Sequence, residues 1–96
     1  MSAGEGVPAR FVVRDDVVFR RVGGEAVILD LDTQRYYTLD ETGTRMWQLL
    51  AEHGEPARVV EAMLAEYDVE REVVERDLAK LVAELMEEGL LVAEDP

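Results

Sequence analysis

The hydrophobic pattern changes period near residue 40. Before that point apolar and β-branched residues come in short runs, Val17-Val-Phe-Arg-Arg-Val22 and Glu25-Ala-Val-Ile-Leu-Asp-Leu31, separated by Gly23-Gly24. Two such runs around Gly-Gly predict a tight hairpin. Counting across the turn pairs Val18 with Leu29 and Phe19 with Ile28. That register puts Val18, Val27, Leu29 and Leu31 on one face and Val17, Phe19 and Ile28 on the other. Neither face is purely polar, and helices can cover only one face of so small a sheet. The second face is therefore either packed by Phe11 to Val13, the expected arrangement, or offered to another protein. Arg20 and Arg21 depart from simple alternation in the first strand. Asp32-Thr33-Gln34 reads as a turn into a third strand, Arg35 to Leu39, which a meander leaves at the edge of the sheet. Within it Arg35, Tyr37 and Leu39 point one way, and Tyr36 and Thr38 the other.

From Asp40 onward the spacing is helical. Asp40 is a suitable N-cap for a helix to about Glu52, with Met46, Trp47, Leu49 and Leu50 at core intervals and a stop at His53-Gly54. Glu55-Pro56 opens a second helix, Pro being tolerated in the first turn, and Val59, Val60, Met63, Leu64 and Tyr67 repeat as its core face. Asp68 is expected to cap a third helix from about Glu70 to Glu88, closed by Gly89. Its stripe is Val74, Leu78, Leu81 and Leu85 flanked by Val82, with Asp77, Glu84 and Glu88 along one border. Leu90-Leu91-Val92 reads as a short extended tail packing back onto the domain.

The pattern gives an α+β class, a three-stranded antiparallel meander followed by three helices. A chain of 96 residues is expected to form a single domain, residues 11–93, between a flexible tail at 1–10 and a loose end at 94–96. With 22 acidic against 10 basic residues the net charge is −12, which repels nucleic acid and anionic membranes. The apolar runs are too short to span a bilayer and the N-terminus has no signal-peptide pattern, so the expected location is the cytoplasm.

Chemistry is sparse. There is no Cys, and the only His, His53, falls at a helix end. No nucleophile and base can be assembled, no Gly-rich phosphate loop exists, and the Asp30 and Asp32 pair lacks the spacing of a calcium loop. The expectation is a non-enzyme with no cofactor and no metal. Strands followed by three helices also fit a winged-helix nucleic-acid binder, but the third helix carries seven carboxylates against three cations. The scaffold is then better suited to binding a peptide at the free edge of the third strand.

The run Tyr37-Thr38-Leu39-Asp40-Glu41-Thr42-Gly43, followed by Met46-Trp47 and closed by Gly89-Leu90-Leu91, resembles the PqqD-like family of precursor-peptide recognition elements. More narrowly, residues 17–92 look like the free-standing members that serve lasso-peptide biosynthesis. The resemblance implies a winged-helix-like fold and non-catalytic capture of the leader of a ribosomally made precursor. It also implies two partner enzymes, a leader peptidase and a macrocycle-forming cyclase. The leader would add as a strand to the third strand and pack against the third helix. That assigns binding to Arg35, Tyr36, Tyr37, Thr38 and Leu39 through the backbone, and to Val74, Asp77, Leu78 and Leu81 through side chains. Plain core packing is the alternative for Val74, Leu78 and Leu81. The alternative for the whole chain is a regulatory or scaffolding adaptor that binds another protein.

Overall fold

Gly23, at φ 67°, makes the turn that no β-branched residue would adopt without strain, and the chain folds back on itself as the spacing predicts. The structure, a computed structural model, describes residues 10–94. The tails expected at the two ends fall largely on residues 1–9 and 95–96, which lie outside the described residues. Element order is β1 (Phe11–Val13), β2 (Val17–Val22), β3 (Glu25–Asp30), β4 (Arg35–Leu39), α1 (Glu41–His53), α2 (Pro56–Glu66), α3 (Arg71–Glu87) and β5 (Leu91–Ala93). Strands β2, β3 and β4 form the antiparallel meander, and Val18 pairs with Leu29 and Phe19 with Ile28 in the register read from the sequence.

The inward face of the meander, Ala26, Ile28 and Leu39, is buried, with α1 packed against β3 and β4. Met46, Trp47, Leu49 and Leu50 of α1, Val59, Val60 and Met63 of α2, and Val74, Leu78, Leu81, Val82 and Leu85 of α3 complete one core. Phe19 stacks on Trp47 with centroids 6.4 Å apart and planes within 17° of parallel. Each large side chain removed from water here contributes about 1.5–3 kcal/mol before the entropy of ordering is counted. Gly54 ends α1 at φ 77°, and an added Cβ would meet the Phe11 carbonyl at 3.1 Å. The Gly54 carbonyl accepts from Phe11 N–H at 2.7 Å, so the helix end and β1 interlock.

Four expectations fail. Phe11 to Val13 do not cover the second face of the meander; β1 pairs with β5 in a separate two-stranded sheet, seating Phe11 in the helical core. Leu31 lies past the end of β3, in the turn, and is exposed. Tyr67 is 41 % exposed, because α2 stops at Glu66 and Tyr67 turns to extended backbone before it can complete the apolar stripe. Asp68 does not cap α3: the N-cap position is Glu70, with no side-chain bond to the helix. Asp68 stands two positions before the N-cap, which puts its carboxylate out of reach of the first free amides. Arg21 has the inward parity of Ala26 and Leu39 yet stays exposed, which accounts for the broken alternation of this strand.

Asp30 ties the turn between β3 and β4 to both ends of the chain. Its buried carboxylate accepts from Asp32 N–H at 2.9 Å and from Arg14 at 3.1 Å, and the same Arg14 donates to the Gly89 carbonyl that follows α3. Burial alone would push the Asp30 carboxyl up, but the amides of Asp32 and Thr33 and the Arg14 guanidinium outweigh it and hold the group below its ordinary value. A depressed carboxyl stabilises the fold above the unfolded-state pKa and loses that contribution as pH falls through the folded value. Asp30→Ala is expected to lower unfolding free energy by roughly 2–4 kcal/mol near neutral pH, and Asp30→Asn by less, since its amide oxygen still accepts from Asp32. Urea titrations followed by circular dichroism measure both, and the gap between wild type and Asp30→Ala should close as pH drops below about 4.

Candidate functional site

The register decides which backbone groups of β4 are free. In a two-residue hairpin the residues flanking the turn form a bonded pair, and bonded pairs recur at every second position. Val22 and Glu25 flank Gly23-Gly24, so Glu25, Val27 and Leu29 bond to β2 and the alternate residues Ala26, Ile28 and Asp30 bond to β4. Their partners are Leu39, Tyr37 and Arg35. The N–H and C=O groups of Tyr36 and Thr38 therefore point away from the sheet, along an edge that no other strand occupies among the described residues.

That edge borders a groove of about 360 Å³. One wall is Tyr37, Thr38 and Leu39 of β4, continuing into Asp40, Thr42 and Gly43 at the start of α1; the other is Asp77, Lys80, Leu81 and Glu84 of α3, with Met46 from α1. The two walls meet by design of a single strand-to-helix hinge. Asp40 accepts from Gly43 N–H at 2.8 Å through its side chain and from Thr44 N–H at 2.8 Å through its carbonyl. The extended chain becomes α1 within one residue as a result. Across the groove the Tyr37 hydroxyl donates to the Glu84 carboxylate, joining β4 to α3. That bond, with help from burial and the nearby Glu84 and Glu88 charges, pushes the Tyr37 hydroxyl up to about 12. Arg35 pairs with Glu88 at 3.2 Å and closes one end of the same seam. Asp40, Asp77 and Glu84 against Lys80 leave the groove net acidic.

Of the residues read from the sequence, the structure brings Tyr37, Thr38, Leu39, Asp77 and Leu81 to the groove. Arg35 and Tyr36 belong to the same strand but line a smaller cleft with Glu88 and Leu90. Val74 and Leu78 do not reach the groove; both are buried, and Leu78 faces a different apolar cleft with Phe11 and Val60. A stripe with spacings of four and three covers more than one side of a helix, so only Leu81 falls on the groove side. Lys80, Thr42, Gly43 and Met46 also line it, although the sequence pattern assigns none of them to binding. Position supplies the missed signal: Lys80 and Glu84 follow Asp77 at intervals of three and four, one row along α3.

A winged-helix-like α+β chain whose outer strand is unpaired beside a helix-walled groove is a defined class of protein. This chain belongs to the PqqD family, whose model, coenzyme PQQ synthesis protein D, matches residues 25–91. Two solved structures are similar to it. One is TbiB1 in complex with the TbiA(beta) leader peptide, 42 % identical with TM-score 0.76, covering 82 % of this chain and 92 % of that one. The other is a lasso peptide synthetase B1 complexed with the leader peptide, 33 % identical with TM-score 0.77, covering 88 % of this chain and 99 % of that one. A comparison with curated proteins found no match.

Tyr37→Phe should cost about 1 kcal/mol by removing the donor to Glu84. A hydroxyl raised on folding stabilises the fold fully below about pH 10 and loses that contribution as pH climbs toward 12. The stability difference between wild type and Tyr37→Phe, measured by urea unfolding at a series of alkaline pH values, is thus expected to shrink over that interval. A difference that stays constant would mean the hydroxyl proton is not held by Glu84.

Proposed function

We propose that this protein binds the leader segment of a ribosomally made precursor peptide without catalysis. The leader adds as a strand to β4 and packs against α3, and the loaded complex is delivered to a leader peptidase and a macrocycle-forming cyclase. The observation that carries this reading is the outward edge of Tyr36 and Thr38 beside an α3-walled groove, in a chain similar to proteins solved with leader peptides. Strand addition draws affinity from main-chain hydrogen bonds and specificity from the side-chain sites between them. In this arrangement the backbones of Tyr36 and Thr38 pair with the leader. Leu39, Met46 and Leu81 offer apolar contact, and Asp77, Lys80 and Glu84 sort charge along the helix wall. Val74 and Leu78 hold α3 in place from the core and do not touch the peptide. The chain has no Cys, and its single His closes α1, so cleavage and ring formation fall to other proteins. The excess of carboxylates at the groove favours a leader with Lys or Arg opposite Asp77.

Substitution by proline separates strand addition from simple side-chain contact. Thr38→Pro removes an outward donor and leaves the β3 ladder intact, so the domain should fold while leader affinity falls roughly tenfold or more. Tyr37→Pro removes a donor to β3 and should instead destabilise the fold. Calorimetry with a synthetic leader, with circular dichroism as the control for folding, reads both. A folded Thr38→Pro that binds the leader as wild type does would exclude the β4 edge as the docking site. Leader affinity is also expected to weaken as salt rises from about 0.05 to 0.5 M, and Asp77→Asn should flatten that slope.

A further inference from the structure

The meander has a second edge, and it belongs to β2. Val22 and Glu25 form a bonded pair across the turn, so Val18, Arg20 and Val22 spend their backbone groups on β3, and the N–H and C=O groups of Phe19 and Arg21 point outward. Among the described residues no strand lies on that side. Along this edge the chain runs Asp15-Asp16-Val17-Val18-Phe19-Arg20-Arg21, two acids, three apolar residues and two bases. All four charged residues are exposed, and none of them forms an ion pair among the described residues. Beside the inward face of β2 lies an apolar cleft of about 420 Å³, lined by Val17 and Phe19 together with Val13 and Trp47.

We propose that the β2 edge pairs with β2 of a second copy of this chain, joining two meanders into one six-stranded sheet. An exposed edge is a template for another strand, and identical edges related by a two-fold axis pair antiparallel. Outward backbone groups must meet outward groups, so odd-numbered positions face odd-numbered ones. Centring the axis on Phe19 sets Arg21 against Val17 and Arg20 against Val18, and centring it on Val17 sets Asp15 against Phe19 and Arg20 against Arg14. Centring it on Val18 sets Val17 against Phe19, Arg20 against Asp16 and Arg21 against Asp15, each pair occurring twice. In that register apolar residues meet apolar ones, and the four charges left unpaired within one chain are paired by the other. Following the register of β2, Arg20 with Asp16 lies on the outer face and Arg21 with Asp15 on the inner one. Asp15 and Asp16 stand in the turn that the Val17 N–H closes on the Arg14 carbonyl at 3.3 Å, just before the strand, so these pairs rest on side chains and not on the ladder. On the inner face Val17 and Phe19 of the second copy come against Phe19 and Val17 of the first, at the mouth of the apolar cleft, and cover it. Neither β4 edge is used. Both grooves stay open at the two ends of the joined sheet, and the inference is independent of what binds there. The charge of −12 on each copy opposes association at long range, but separations beyond about 10 Å are screened near 0.1 M salt, and the matched pairs lie closer. A contact this short makes a weak dimer whose population follows protein concentration.

Sedimentation velocity of the purified protein from about 0.01 to 1 mM, in about 0.15 M salt, reads the association. Wild type is expected to move from the 10.8 kDa of one chain toward twice that mass as concentration rises. Two charge-reversed proteins test the register, one carrying Arg20→Glu with Arg21→Glu and the other Asp15→Lys with Asp16→Lys. All four positions are exposed, and circular dichroism confirms that both proteins fold. Each alone should self-associate at least about tenfold more weakly than wild type, because like charges then stand opposite one another. An equimolar mixture of the two should recover the dimer, since every reversed charge again meets its opposite. In wild type, amide exchange at Phe19 should slow as concentration rises, while Val18, already bonded to β3, stays unchanged. A wild type that remains a single chain throughout the range overturns the proposal. So does a dimer that both reversed proteins form as well as wild type, or a mixture that stays dissociated. A dimer that protects Tyr36 and Thr38 instead of Phe19 assigns the contact to the β4 edge and equally overturns it.

Discussion

One hydrogen-bonded cap sets the shape of the whole binding side. The Asp40 carboxylate accepts from Gly43 N–H one residue after β4 ends, so the chain that has just run as a strand is committed at once to a helix. A strand that passes directly into a helix has no following strand to pair with, and β4 remains an edge. The three helices then wind back until α3 stands beside that edge, and the hydroxyl of Tyr37 reaches Glu84 across the space between them. Edge, groove and spanning bond follow from the same junction. On the far side Asp30 performs the matching task, fixing the turn that delivers β4 and pulling Arg14 and the end of α3 against it.

The groove is therefore built from a rigid ladder on one wall and a core-anchored helix on the other. Leu78, Val74 and Leu85 are buried and position α3, and Asp77, Lys80, Leu81 and Glu84 are what it presents. Core residues and displayed residues lie on neighbouring rows of one helix, which is how a short chain supplies both packing and recognition. The bonding direction of Tyr36 and Thr38 adds a second consequence. Their main chains face the edge, while their side chains stand on the outer face of the meander. Any strand added at the edge thereby extends that face as well as filling the groove.

Much of this was legible in the sequence, because local signals were strong and agreed with one another. Gly23-Gly24 set the register, Asp40 the strand-to-helix junction, and the spacing of Met46 to Leu50 and of Val74 to Leu85 the core faces. The failures share a physical cause. Phe11 to Val13 and Leu91 to Ala93 form a sheet whose strands are separated by nearly the whole chain, and no local pattern reports such a pairing. Tyr67 and Asp68 were assigned by continuing one period and one cap preference across a connection whose extended backbone breaks both. For the site, periodicity placed Val74, Leu78 and Leu81 on one stripe, but which side of that stripe meets β4 depends on the crossing of α3 over the sheet. That is a tertiary fact, and it removed Val74 and Leu78 from the groove while admitting Lys80 and Met46.

Amide hydrogen exchange on β4 tests the central claim most directly, since it reads the individual N–H groups that strand addition would engage. In the free protein Tyr37 and Leu39 should already be protected by β3, whereas Tyr36 and Thr38 should exchange readily. Saturating synthetic leader is predicted to protect Tyr36 and Thr38 and to leave the other two little changed. Protection that instead appears along the cleft between α2 and α3, with Tyr36 and Thr38 still exchanging as in the free protein, would contradict the account.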